Sequence, residues 1–511
     1  MSTTENNKRI AKNTLMLYFR MILTMLVSLY TSRVVLNVLG VEDYGTYNVV
    51  GGVVTMFGFF NGAMASATQR FLSFDLGRND YIQLRKTFNA TQLIHIGIAL
   101  LIFILAETIG LWFVNTQLNL PEGRMEAARW VYHFSVLSFM VSIIQVPYNS
   151  ILIARERMNV YAYMSILEVL LKLLIVFMLT WIAFDKLKLY GILLFSVSLI
   201  VASIYRIYCL KKFVETRFVL VKDRTLYKTL VSYSWWNLFG GVATISKVQG
   251  ISIILNLFFG TVANAAQGVA NQVSGAINMF VSNFQMASNP QIVKSYAADD
   301  KAYMTNLIIR TSKFSFYLLF ILTLPIMLEI ELILKIWLKT VPEYTAVFTI
   351  LILINALIDS VSGPLMIALQ ATGKIKVYQT VVGPLLILIL PLSWIAFKMG
   401  MPPQATFLVS ISVSIIAFVF RLLLTKKQIP EFDALQFFKE IVIKNISVIL
   451  LSVAVPLMIR FTMEGGMVRL MIVTLSAILS SMTAIYLIGF NAGEKTFATS
   501  ALRGFIFKIK R

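Results

Sequence analysis

The chain has 511 residues, of which 58% are hydrophobic and 14% charged, and its mean hydropathy is +0.78. These values exclude a soluble globular protein and point to a polytopic membrane protein. A net charge of +21 would suggest nucleic acid in a soluble chain. In this one it is explained by basic loops on one face of a bilayer, and no nucleic-acid partner is expected. One cysteine, Cys209, excludes an intramolecular disulfide framework, and with two histidines it leaves too few soft ligands for a structural zinc site.

The N-terminus, MSTTENNKRIAKN, is polar and basic, and the apolar run after it is too long for a cleaved signal peptide. It is read as a retained first span. Apolar runs predict about fourteen spans, near residues 13–38, 46–69, 88–114, 128–153, 160–184, 189–210, 230–259, 262–289, 306–337, 344–370, 377–397, 403–425, 441–461 and 467–490. With the N-terminus inside, the inner loops collect most of the Lys and Arg, among them Lys211, Lys212, Arg217, Lys222, Arg224 and Lys228. The first outer loop, 40–45, carries Glu42 and Asp43 and no base. The asymmetry predicts that both termini are cytoplasmic.

The longest basic segment follows the sixth span and divides the chain. The expected organisation is a six-helix bundle over 1–212, a basic linker over 213–228 and a second six-helix bundle over 229–427. An interfacial helix with two extra spans follows over 428–490, then a basic tail over 491–511. The halves repeat. PYNSILIARERMNVY from Pro147 matches PLMIALQATGKIKVY from Pro364, and VVLNVLGVEDYGTYNVV from Val34 matches IILNLFFGTVANAAQGV from Ile253, which sets Asn48 over Gln267. Six spans per half start both halves on the same side. They should therefore be related by a pseudo-two-fold axis along the membrane normal, with the substrate site between them.

The eighth span, Val262 to Asn289, carries no charge, yet Asn264, Gln267, Asn271, Ser274, Asn278, Gln285 and Asn289 recur at steps of three, four or seven. That spacing lines one face of a helix. Amides are costly in hydrocarbon, so the face must meet other helices or water. Polar contacts between packed helices are one reading. The wall of a hydrated cavity suited to a hydroxyl-rich ligand is the other. Asn48 belongs to a matching polar face on the second span.

Ionisable residues inside spans are functional candidates. Arg20 and Lys247 lie deep in the first helix of each half with no carboxylate one turn away, which suits an anionic ligand. Arg33, Lys172 and Arg310 are further cationic candidates. Lys172 can instead neutralise Glu168 at i, i+4, and Arg33, Arg310 and Lys313 can reach an interface along their stems. Asp359 and Glu168 are candidates for ion coupling. His95 and His133 read first as packing residues. No phosphate loop, HExxH or GxSxG occurs, and no loop is long enough for a soluble catalytic domain, so neither an enzyme nor a cofactor is expected.

SRVVLNVLGVEDYGTYNVV followed by FNGAMASATQRFLSFDLGR resembles the N-terminal signature of bacterial polysaccharide-export flippases. These are the Wzx-type members of the multidrug/oligosaccharidyl-lipid/polysaccharide exporter (MOP) superfamily. Leu39-Gly40, Glu42-Asp43-Tyr44-Gly45 and Gln69-Arg70-Phe71 carry the likeness, which spans about forty residues. The resemblance implies an all-α fold of two six-helix bundles around a V-shaped cleft. It also implies transfer of an undecaprenyl-pyrophosphate-linked oligosaccharide between leaflets of the bacterial inner membrane. A polysaccharide polymerase and a chain-length regulator are candidate partners. A multidrug antiporter of the same superfamily and a flippase for the cell-wall lipid precursor are the alternatives.

Overall fold

The computed structural model describes residues 3–55, 58–116, 123–338, 341–496 and 499. The side chains of Arg33 and Asn48 and nearly all of the basic tail lie outside the described residues. All regular structure described is helical. Among the described residues twelve helices are long and apolar enough to cross a membrane, which makes the chain a multi-pass membrane protein. The eighth of the expected spans is not among the twelve; its amides lower its hydropathy. Residues 56–57 of the second lie outside the described residues.

Helix α1 (Thr3–Thr55) is followed by α2 (Gly58–Gly77), α3 (Tyr81–Leu105), α4 (Met125–Ala154), α5 (Met158–Trp181) and α6 (Lys186–Lys212). After a short extended linker come α7 (Arg224–Ala297), α8 (Lys301–Leu328), α9 (Thr345–Ala371), α10 (Ile375–Lys398) and α11 (Ala405–Gln428). Two more, α12 (Ala434–Thr462) and α13 (Met467–Gly489), end the described chain. Asp433 caps α12, so of residues 429–442, the segment expected to form a separate interfacial helix, 434–442 form its first turns.

Helix α7 has 74 residues, and at 1.5 Å each it would run about 110 Å, several bilayer cores long. It is broken at Gly260 (φ 72°, ψ −164°), and α1 is broken in the same way at Gly40 (φ 80°, ψ 169°). Only glycine occupies this region readily. A Cβ at Gly260 would meet no atom within 4 Å, so the constraint is purely backbone. Gly260→Ala should therefore cost about 1–3 kcal/mol. Gly268→Ala, equally unobstructed and within the helix, should not. Thermal unfolding of the two variants in detergent checks this.

The repeat is visible in the backbone. Asn79 and Asp299 both take positive φ (56° and 61°), in turns with matching hydrogen bonds: Asn79 N–H to Leu76 and Asp299 N–H to Tyr296. Glu156 (φ 58°) and Gly373 (φ 78°) occupy corresponding turns after α4 and α9, which also share an internal proline, Pro147 and Pro364. The first register needs correcting by one residue. Gly40 and Gly260 are 220 apart, whereas the alignment of LN pairs sets Gly40 over Phe259. That alignment follows side-chain types; the fold repeats its breaks. In the backbone register Asn48 corresponds to Gly268, not Gln267.

The chain forms two compact units, which do not follow the halves of the sequence. The first comprises 1–242 with 286–300 and 373–379, and the second 243–285, 301–372 and 380–511. In the first, α4 packs on α2, α3 and α6, around a core that includes Leu72, Leu84, Phe88, Ile151, Leu152 and Cys209. The linker is pinned there by buried Asn89, whose amide bonds the carbonyls of Glu215 and Arg217 and accepts the Val219 N–H. In the second unit, α9 packs between α8 and α11. Helices α12 and α13 pack on each other and on α8, held by two ion pairs with buried carboxylates or ammonium, Arg469–Glu329 and Lys313–Glu494.

Candidate functional site

The second unit holds a partly open cavity of about 280 Å³ lined from three helices. Before its break, α7 contributes Thr244, Lys247, Val248 and Ile251; after it, Gln267, Asn271, Ser274 and Asn278. Helix α9 adds Leu351, Ile352, Asn355, Ala356 and Asp359, and α11 adds Phe407 and Ser410. Each series recurs at three or four residues, with adjacent pairs at 247–248, 351–352 and 355–356, so each helix presents one continuous face. The Gly260 break is what lets two stretches of one helix wall the same space.

Six residues singled out from the sequence meet here: Lys247, Gln267, Asn271, Ser274, Asn278 and Asp359. Asn278 is folded onto its own helix, donating to the Ser274 carbonyl at 2.9 Å and hydroxyl at 3.0 Å. Asn355 donates to Asp359 Oδ2 at 2.7 Å. Its Oδ1, and the Oε1 of buried Gln267, have no protein partner. An unpaired amide oxygen in a buried wall is costly unless something else bonds it. The cavity thus offers hydrogen-bond acceptors, one ammonium and one carboxylate, a set that fits hydroxyls together with a charged group. The volume lies just below the range for drug-sized ligands, roughly 300–1,000 Å³.

Other expected residues lie elsewhere. Asn264 sits 3.4 Å from the Ser252 hydroxyl, and Gln285 donates to Ser315 (3.0 Å) and to the Ser360 carbonyl (3.1 Å), bonds that tie α7 to α8 and α9. The polar face therefore serves both readings, cavity over 267–278 and helix packing at 285. Arg20, in the first unit, lies 4.9 Å over the Tyr161 ring and 3.5 Å from the Ser165 hydroxyl. Lys172 and Glu168 pair at 2.7 Å. Arg310 is half-buried on α8. Lys313 does not reach an interface: it is 1% exposed and bonds Glu494 at 2.6 Å. Its partner lies 181 residues away, beyond the reach of local spacing. Thr244, Asn355 and Ser410 were missed. Asn355, one turn before Asp359, carried the only usable signal.

Two of the signature residues, Asp43 and Arg70, sit in defined side-chain contacts. Asp43 and Asp185 grip Arg124 from two sides, Asp43 through Nε at 2.7 Å and Asp185 through Nη1 at 2.7 Å. Partial burial disfavours the charged Asp185, but the Lys188 N–H and Arg124 outweigh it and hold its carboxyl below the usual range. A depressed carboxyl contributes stability above its ordinary value of about 3.9, and that contribution is lost as pH falls through the folded value. The wild-type melting temperature should fall on acidification below about pH 4. Arg124→Ala should lower it at neutral pH and flatten that fall. Arg70 is caged by Phe71, Phe74 and Tyr233, with its guanidinium carbon 4.6, 4.7 and 5.4 Å from the ring centres. Among the described residues no group of three or more His, Cys, Asp or Glu is placed to hold a metal.

Solved structures of distant sequence share this fold. An outward-facing multidrug resistance MATE family transporter superposes with a TM-score of 0.70 at 12% identity, covering 84% of this chain and 97% of its own. A point mutant of the Vibrio cholerae MATE transporter VcmN gives 0.69 at 16% identity, with 85% and 99% covered. A Pyrococcus furiosus MOP superfamily transporter, described as having a binding pocket of reverse polarity, gives 0.69 at 12%, with 84% and 96% covered. No curated protein sequence matches the chain. By its sequence profile, matched over residues 10–296, the chain belongs to the polysaccharide biosynthesis protein family.

Proposed function

We propose that this protein is a flippase. It moves undecaprenyl-pyrophosphate-linked oligosaccharide units across the bacterial inner membrane for surface polysaccharide synthesis, with both termini in the cytoplasm. The observation that carries the reading is the cavity of the second unit, whose free acceptors on Gln267 and Asn355 suit sugar hydroxyls. Membership of a polysaccharide biosynthesis family supports the same substrate class. Lys247 is the group in that cavity suited to the pyrophosphate or an acidic sugar.

A second reading, the cation-coupled drug antiporter, is favoured by Asp359, which is exposed to the same cavity. Proteoliposomes separate the two. Transfer of a fluorescent lipid-pyrophosphate oligosaccharide between leaflets is the expected result. Absence of that transfer, together with ion-driven uptake of a cationic dye, would assign the protein to the antiporters.

A further inference from the structure

The linker between α6 and α7 carries side chains that the cavity does not use. Phe218, Val219 and Leu220 stand consecutively exposed, Phe218 at 68% and Leu220 at 62%. An extended segment that lies along a protein surface covers every second side chain. Three exposed apolar residues in a row therefore stand off the protein on both faces. The segment is nonetheless held. Buried Asn89 of α3 accepts the Val219 N–H at 3.0 Å and donates to the Arg217 carbonyl at 3.3 Å, which fixes the backbone on either side of Phe218. Just beyond Leu220, Val221 is buried in a cluster with Ala90 of α3 and Leu226 of α7. An apolar strip anchored at both ends and open between them is a displayed surface.

Depth decides what covers it. The apolar run of α3 opens at residue 88, shortly after Arg85 and Lys86, so Asn89 marks the edge of the hydrocarbon. Residues 217–219 share that level through their bonds to it. Around the strip Lys211, Lys212, Arg217, Lys222 and Arg224 are exposed. The two acids of the segment are engaged elsewhere. Glu215 is buried and accepts from Arg155 Nε at 2.6 Å, and Asp223 accepts the Leu226 N–H at 2.9 Å as the cap of α7. Apolar side chains at the hydrocarbon edge, flanked by cations, match the boundary between acyl chains and acidic headgroups. We infer that the linker is an interfacial anchor that binds anionic phospholipid of the surrounding bilayer. Phe218, Val219 and Leu220 enter the acyl region, and the flanking cations hold lipid phosphates. None of these residues lines the cavity, so the anchor holds whichever substrate is carried.

The test uses the full chain with Cys209→Ala in phosphatidylcholine vesicles and a fluorescent label on Leu220→Cys. Phosphatidylcholine bearing a nitroxide high on its acyl chain should quench the label, and aqueous acrylamide should not. The same label on Ala298→Cys, in an exposed turn beside Asp299 and Asp300, sets the aqueous limit. Phosphatidylglycerol bearing the same nitroxide should quench Leu220→Cys at least about fivefold more strongly per lipid. That is the ratio for roughly 1 kcal/mol, the share of one cation near an anionic surface. High salt should erase the preference and leave the acyl-chain quenching in place. Lys222→Gln/Arg224→Gln should lower the preference in the same way, and salt reads the charge even where that variant inserts poorly. A label open to acrylamide and untouched by nitroxide lipid overturns the proposal and assigns the strip to a soluble protein partner. Equal quenching by the two headgroups at low salt overturns the anionic site.

Discussion

Glu494→Ala should destabilise the protein by about 3–5 kcal/mol, because it leaves the Lys313 ammonium buried on α8 with no counter-charge. Lys313 is 1% exposed and Glu494 is its ion-pair partner at 2.6 Å. Lys313→Met alone should cost less. It removes the charge that most needs a partner, and the remaining Glu494 still accepts the Asn491 N–H at 2.9 Å. The double variant Lys313→Met/Glu494→Gln should return close to wild type, since replacing both members of a buried pair by groups of similar volume is often neutral. Unfolding in mixed micelles measures all three. A Glu494→Ala protein as stable as the double variant would show that this pair does not anchor α13 to α8.

The largest functional effect should come from Lys247. If its ammonium bonds an anionic group of the substrate, that bond contributes about 1.5–3 kcal/mol, and Lys247→Ala should slow transfer about ten- to hundredfold. Lys247→Arg, which keeps the charge, should recover part of the rate. Lys172→Ala should change the rate little, because Lys172 is already neutralised by Glu168 on the adjacent turn at 2.7 Å. Initial rates of oligosaccharide transfer in proteoliposomes, matched for inserted protein, give the comparison. Wild-type rates in Lys247→Ala would remove the cavity ammonium from the mechanism.

Span positions were legible because bilayer thickness imposes a length on every apolar run, and the amide face of α7 because helical periodicity places 267, 271, 274 and 278 together. Facing partners from other helices were not. Nothing local to Asn355 or Ser410 marks them as the opposite walls of the cavity, and nothing near Lys313 points to Glu494. The motif around Asp43 and Arg70 was legible as a family mark but not as chemistry. Its contacts emerge only once Arg124 and Asp185 meet Asp43, and Tyr233 and Gly373 separately meet Arg70. The breaks at Gly40 and Gly260 escaped for a different reason. A glycine inside an apolar run scores as one more small residue, and its positive φ is a property of the backbone alone.

The Lys313–Glu494 pair also bears on how the protein is made. The lysine leaves the ribosome 181 residues ahead of its partner. At about 5–20 residues per second that interval is roughly 10–40 s, during which a helix destined for the bilayer carries an unneutralised cation. Nascent chains must keep that helix at a wet boundary, or in the care of the insertion machinery, until residue 494 has been made. A product terminated before residue 494 can never discharge the debt. It carries a permanent polar lesion inside the membrane, a mark by which a quality-control protease could tell unfinished copies from complete ones.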